Sequence, residues 1–199
     1  AELAAPGKLS SDGSETIDLP EGTYISPGWV DSMVHLSDPG YEYKESINQL
    51  AKAAIKGGFT NVICTPNTQP VLDNSQILHS LRSRTSNLPV QFYFCGSITE
   101  QAKGIDLAEV YDMHKAGAVA FSDGAHPLPN GGIFLRALQY LKSFGGLIVQ
   151  SPEDASLVRD GQMNEGVLAT RLGMPGIPEL AEIIPVHREL EAYAYEPGR

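Results

Sequence analysis

The residues best suited to chemistry sit in the run Asp31-Ser32-Met33-Val34-His35-Leu36-Ser37-Asp38-Pro39-Gly40. If Trp29 to Leu36 is a strand, side chains two apart share a face, so Met33 and His35 point together. Two histidines placed this way at the C-terminal end of a first barrel strand would make a zinc site, because neighbouring neutral imidazoles suit a borderline metal. Here one is present, and a single histidine beside a strand end reads first as a hydrogen-bonded structural residue. His79, His114, His126 and His187 fall on helices or loops without a second ligand at metal spacing, which marks them as surface or structural. Cys64 and Cys95 each follow an apolar run and read as buried, reduced thiols rather than a disulfide. No Gly-rich phosphate loop is present, since Gly57-Gly58 and Gly145-Gly146 each close a helix before a strand, and there is no Gly-x-Ser-x-Gly elbow.

These residues must be positioned by the elements around them. From Gly28 onward, short apolar runs alternate with longer amphipathic stretches, the mark of repeated βα units. The expected strands are Trp29 to Leu36, Asn61 to Thr65, Val90 to Cys95, Ala118 to Ser122 and Leu147 to Gln150. Between them, Glu45 to Lys56 carries Ile47, Leu50, Ala51, Ala54 and Ile55 at helical spacing and stops at Gly57. Helices are also expected at Asn74 to Ser83, which opens on a capping residue, at Asp106 to Ala116 and at Ile133 to Phe144. After the fifth strand come a helix at Glu165 to Leu172, a proline-broken turn at Pro175 to Pro178 and a helix at Glu179 to Ala194. Residues 1–26, rich in Gly, Ser, Asp and Pro, form a separate, weakly structured segment in which only the stretch after Glu15, leading into Tyr24 and Ile25, reads as strand. The fold class is therefore α/β, with about five βα units over residues 27–199. A (β/α)8 barrel needs eight units and about 250 residues, so closure is missing here.

Bulk properties narrow the function classes. A chain of 199 residues, 42% hydrophobic and 19% charged, has ordinary globular composition. Its formal charge of -10 opposes binding to a phosphate backbone, which needs clustered cations, so nucleic acid is excluded as a partner. No apolar run approaches the roughly 20 residues that span a bilayer. Ala1 to Ser10 lacks the charged-then-apolar order of a signal peptide, so a cytoplasmic location away from membranes is the expectation.

A longer pattern carries more information. Pro27-Gly28-Trp29-Val30-Asp31, then His35-Leu36, Pro39-Gly40 and Glu42-Tyr43-Lys44-Glu45, resembles the opening of dihydroorotases and of the related dihydropyrimidinases and allantoinases. Lys56-Gly57-Gly58-Phe59-Thr60-Asn61-Val62-Ile63-Cys64-Thr65-Pro66-Asn67-Thr68-Gln69-Pro70 is similar to the dihydroorotase second strand and its loop. The similarity continues through Ala118 to Asp123, Glu153-Asp154 and Leu172 to Pro178, so it covers nearly the whole chain. It implies a metal-dependent-hydrolase TIM barrel. In pyrimidine biosynthesis such enzymes interconvert carbamoyl aspartate and dihydroorotate, with a zinc centre activating water in the hydrolytic direction.

Carried over position by position, the resemblance also implies damage. The family's His-x-His-x-Arg on strand one is Met33, His35 and Ser37 here. A thioether is a poor replacement for imidazole on zinc, and a serine cannot make the two charge-assisted bonds of a guanidinium on a carboxylate. In the Phe-Ser-Asp-Asp-Gly run of strand four, where the first Asp can be a metal ligand, Asp123 is kept and Gly124 replaces the second Asp. The His of His-x-Glu-Asp after strand five is Ser151. The remaining ligand His and the catalytic Asp would lie past Arg199. His35 and Asp123 are the remnant ligands, against the three or so protein ligands that catalytic zinc needs. No catalytic residue is assigned. Asn67 matches a substrate-binding Asn and reads equally as a turn residue after Pro66. Asp31 either supports the metal shell or bonds backbone amides, and Lys44 and Glu45 read as solvated or structural.

Three readings follow. The first is a catalytically inactive dihydroorotase-type chain with zinc weak or absent. It would support a protein partner, either a second copy or an aspartate carbamoyltransferase-like chain, with a small-molecule substrate doubtful. The second is an active zinc-dependent cyclic amidohydrolase whose altered site is completed by residues beyond this chain. The third is architectural, a partial barrel whose open edge pairs with another chain.

Overall fold

The computed structural model describes residues 19–196. The expected strand material before Leu19 lies outside the described residues, and Tyr24 and Ile25 are exposed and in no strand. Four parallel strands, β1 (Trp29–Val34), β2 (Phe59–Cys64), β3 (Gln91–Gly96) and β4 (Ala120–Phe121), lie in chain order across one sheet. Cys64 of β2 pairs with Phe94 of β3, and Cys95 with Ala120 of β4. Between the strands run α1 (Ile47–Lys56), α2 (Ser75–Thr85) and α3 (Val110–Ala116), and α4 (Gly131–Lys142) follows β4. Their apolar residues, including Leu50, Leu78, Leu81, Met113, Ile133 and Leu141, join Val62, Cys64, Phe94 and Phe121 of the strands in one core. This is the layering of half a βα barrel.

Local chemistry sets the helix ends. Ser46 opens α1 with a capping box, its hydroxyl accepting from Gln49 N while the Gln49 side chain accepts from Ser46 N. Asn74 and Asn130 each accept from two backbone amides at the starts of α2 and α4. Gly117 closes α3 at φ +102, the left-handed conformation that a Cβ disfavours. The helix expected from Asp106 starts only at Val110, because Asp106 and Ala108 are drawn into bonds with Glu100 and Ile98.

The largest departure concerns the fifth strand. Leu147 to Gln150 forms a single parallel bridge, Ile148 to Phe121, with Phe121 N donating to Leu147 O and Val149 N to Phe121 O. Its neighbour β4 is only two residues long, so there is little ladder to extend. Beyond it lies a smaller unit built from α5 (Ala155–Val158), β5 (Met163–Asn164), α6 (Val167–Leu172), β6 (Gly176–Ile177) and α7 (Leu180–Tyr195). β5 and β6 pair in parallel as a separate sheet. The proline-broken turn expected at Pro175 to Pro178 thus contains a strand. Its glycine explains this, because a Cβ on Gly176 would lie 2.7 Å from Glu165 Cα and keep β6 from its neighbour. No described helix is long and apolar enough to cross a membrane.

Candidate functional site

All four strands of a parallel sheet end on one side, and that is where βα folds place their chemistry. Here that side carries His35, Thr65 to Asn67, Ser97 to Thr99 and Ser122 to Gly124. β1 stops at Val34, so His35 lies just beyond the strand. It is exposed, with Nδ1 3.3 Å from the buried Thr65 hydroxyl. Met33 is exposed on β1 itself. Asp31 accepts from Met33 N at 3.2 Å, the backbone role that its position allowed. Ser37 gives its carbonyl to Tyr41 N, and Ser151 is exposed in the loop before α5.

Asp123 is the most tightly held of the predicted residues. It is buried, and one carboxylate oxygen accepts from Ser97 Oγ at 2.7 Å, Ile98 N at 2.8 Å and Thr99 N at 3.0 Å. The other oxygen accepts from the Thr99 hydroxyl, which itself accepts from Gly104 N at 2.8 Å. A carboxylate with this many donors is fixed in place and organises the loop after β3 around itself. Asn67 also has both ends of its amide engaged: Nδ2 donates to Asp123 O at 3.0 Å and Oδ1 accepts from Ala125 N at 3.1 Å.

Sequence reasoning missed two groups. The hydroxyls of Ser97 and Thr99 were legible only as polar residues directly after a strand, a weak signal. Asp38 is buried, accepts from Ile47 N at 3.3 Å at the start of α1 and pairs with Arg84 at 2.5 Å, so it ties the loop after β1 to α1 and α2. Its partner lies 46 residues away, beyond any local pattern.

The family model for dihydro-orotase-like proteins matches residues 22–192. The chain belongs to that family. It is 45% identical over 192 residues to a dihydroorotase of Syntrophotalea carbinolica, covering 96% of this chain and 45% of that protein. It is 41% identical over 186 residues to a dihydroorotase of Pelotomaculum thermopropionicum, covering 94% of this chain and 43% of that one. The chain therefore spans less than half the length of these relatives. In fold it is similar to the L-hydantoinase of Arthrobacter aurescens, at TM-score 0.67 and 21% identity over 87% of this chain and 40% of that one. It is also similar to a Saccharomyces cerevisiae dihydroorotase solved with 5-fluoroorotic acid, at TM-score 0.61 and 13% identity over 87% of this chain and 46% of that one. The family resemblance and the partial hydrolase barrel read from the sequence are both borne out.

Dihydroorotases as a family use zinc, and the donors of this dihydroorotase-family chain do not fit one. Positions 33, 37 and 151 hold Met, Ser and Ser. Among the described residues, no three of His, Cys, Asp and Glu come together as a metal would require. Asp123 is buried against the loop after β3, where two backbone amides and two hydroxyls hold its carboxylate. The cysteines offer no substitute. Burial, aided by Cys95 and then Asp31, pushes the Cys64 thiol up to about 12, and burial pushes Cys95 up to about 11. Both are free and buried, so neither supplies thiolate at neutral pH. The other histidines lie apart. His79, His126 and His187 are exposed, and His114 packs on Phe144 with ring centroids 4.6 Å apart. Lys44 is exposed over the rings of Tyr41 and Tyr43.

Proposed function

We propose that this chain is a non-catalytic dihydroorotase-family protein of pyrimidine biosynthesis, acting in the cytoplasm as the structural support of a protein partner. The partner class is an aspartate carbamoyltransferase-like chain. The observation that carries the reading is Asp123. At the position where a carboxylate ligand is kept, the side chain is buried and held by four hydrogen bonds to the loop after β3. The imidazole, guanidinium and imidazole implied at 33, 37 and 151 are replaced by groups that neither bind zinc well nor grip a carboxylate.

The test is elemental analysis of the dialysed protein, with less than one equivalent of zinc expected. Stoichiometric zinc would overturn the reading in favour of an active cyclic amidohydrolase that uses His35, Asp123 and residues outside this chain. A second arm raises metal affinity on purpose. The triple variant Met33→His, Ser37→Arg, Ser151→His adds two imidazoles and a guanidinium and is expected to bind zinc more tightly than the parent while hydrolysing no dihydroorotate. Turnover by the parent chain would refute the proposal outright. Sedimentation alone and with an aspartate carbamoyltransferase tests the partner, a shift to a larger species being expected.

A further inference from the structure

The loops after β2 and β4 belong to strands that are not neighbours, because β3 lies between them. Asn67 nevertheless joins them, donating to Asp123 O and accepting from Ala125 N on either side of Gly124. That bridge is possible only because residue 124 has no side chain. A Cβ on Gly124 would lie 1.7 Å from Asn67 Oδ1, 2.6 Å from Cγ and 3.0 Å from Nδ2, all well inside contact distance. The turn also sits at φ +62, where an L side chain is disfavoured, and Gly124 N donates to Ser122 Oγ at 2.9 Å. From the other side, Asp123 fastens the same turn to Ser97, Ile98 and Thr99.

We infer that Asn67 and Gly124 form a latch that ties the loop after β2 to the loop after β4 and holds the Asn67 amide in one orientation at the strand ends. The two residues act as one unit: the glycine admits the amide, and the amide holds the turn. A ligand that takes the same N–H and carbonyl positions of Asn67 must compete with the latch, so its binding requires the 123–125 turn to move. This device does not depend on whether zinc binds. Its failure and the failure of the non-catalytic reading are therefore separate results.

The test is a double-mutant cycle on the full chain with Gly124→Ala, Asn67→Ala and the pair, read by thermal denaturation. Gly124→Ala is expected to lower Tm much more in the Asn67 background than in the Asn67→Ala background, where only the backbone strain at φ +62 is left. Equal drops in both backgrounds would overturn the latch. Should Gly124→Ala fail to fold alone, recovery of a folded double variant supports the coupling and failure of both contradicts it. Side-chain amide exchange on the unmodified protein gives an independent reading. The Asn67 NH2 protons are expected to exchange roughly tenfold more slowly than those of the exposed Asn164. Exchange at the same rate would show that the bridge is not formed in solution.

Discussion

The two parts of the chain bury their apolar residues very differently. Between Leu36 and Leu141, strands and helices share one core in which Val62, Leu78, Phe94, Phe121 and Leu141 are shielded. Among the described residues after Gly146, the buried apolar ones are Ala169, Ala181 and Pro185, while Leu147, Val167, Leu168, Leu172, Leu180, Ile184 and Leu190 are exposed. Polar groups divide the same way. The strand-end loops of the first part satisfy each other, as at Asp123 and Asn67. In the second part, the buried Gln150 Nε2 and Arg188 Nε have no partner, and burial holds the Glu189 carboxyl above its usual range in spite of Arg188. A region that completes its own contacts is a scaffold, and one that leaves apolar side chains in water has the makings of a contact surface. Such faces are covered either by further units of a longer chain, as the length of the relatives allows, or by the proposed partner.

The strongest way to break the contrast is to remove the anchor of the first part. Asp123→Ala deletes the acceptor for four hydrogen bonds and leaves the amides of Ile98 and Thr99 buried without partners. The expected loss is at least ~3 kcal/mol, measured as a shift of the urea midpoint. The matching change in the second part, Asp154→Ala, removes the cap of the four-residue α5 and is expected to cost far less. Similar losses at the two sites would mean that both parts are equally self-contained. Next in size is Leu78→Ala, which empties a fully buried position on α2 and should cost about 2–5 kcal/mol.

How far these features were legible depends on the range of the interactions behind them. β1, β2 and β3, with α1, α2 and α4, followed from apolar periodicity, from the capping Asn74 and from stops such as Gly57, all of which act within a few residues. The fifth strand did not emerge as expected because a strand is completed by its neighbour, and two-residue β4 offers Ile148 little to pair with. The β5–β6 pair was invisible because two-residue strands carry no periodicity. At the site, the positions of Met33, His35, Asn67 and Asp123 came from the family pattern, but what their side chains touch did not. The bonds of Asp123 and Asn67 span 24 to 58 residues, and no local rule reports them.

Protonation offers a finer probe of the same contrast. Because burial raises the Glu189 carboxyl, the folded chain keeps a proton that the unfolded chain has already released just above the usual carboxylate range. Stability from this group therefore falls as pH rises through that window. Glu189→Gln is expected to remove that slope and to be no less stable at neutral pH, as denaturation across the acid range would show. Asp154 runs the other way. Its carboxyl is lowered chiefly by the Ser156 hydroxyl, so its contribution is present above the ordinary value and lost as pH falls below it. If Glu189→Gln left the pH dependence unchanged, its carboxyl would be solvated and the second part better hydrated than its contacts imply.

The smallest effect on stability is expected where the proposed contact surface is most exposed. Leu168 and Leu172 lie one turn apart on α6 and share a face, and Ile183, Val186 and Leu190 recur at helical spacing on α7. An exposed leucine gives up little on truncation, because most of its surface is already in water. Leu168→Ser and Leu190→Ser should therefore each change unfolding free energy by no more than about 0.5 kcal/mol. The same substitutions remove apolar area that a partner would bury, so they should weaken partner association in sedimentation while leaving the urea midpoint in place. A large loss of stability would show that these side chains already pack within the chain. Unchanged association would move the contact surface elsewhere, to the outer edge of β1 or the helices of the first part.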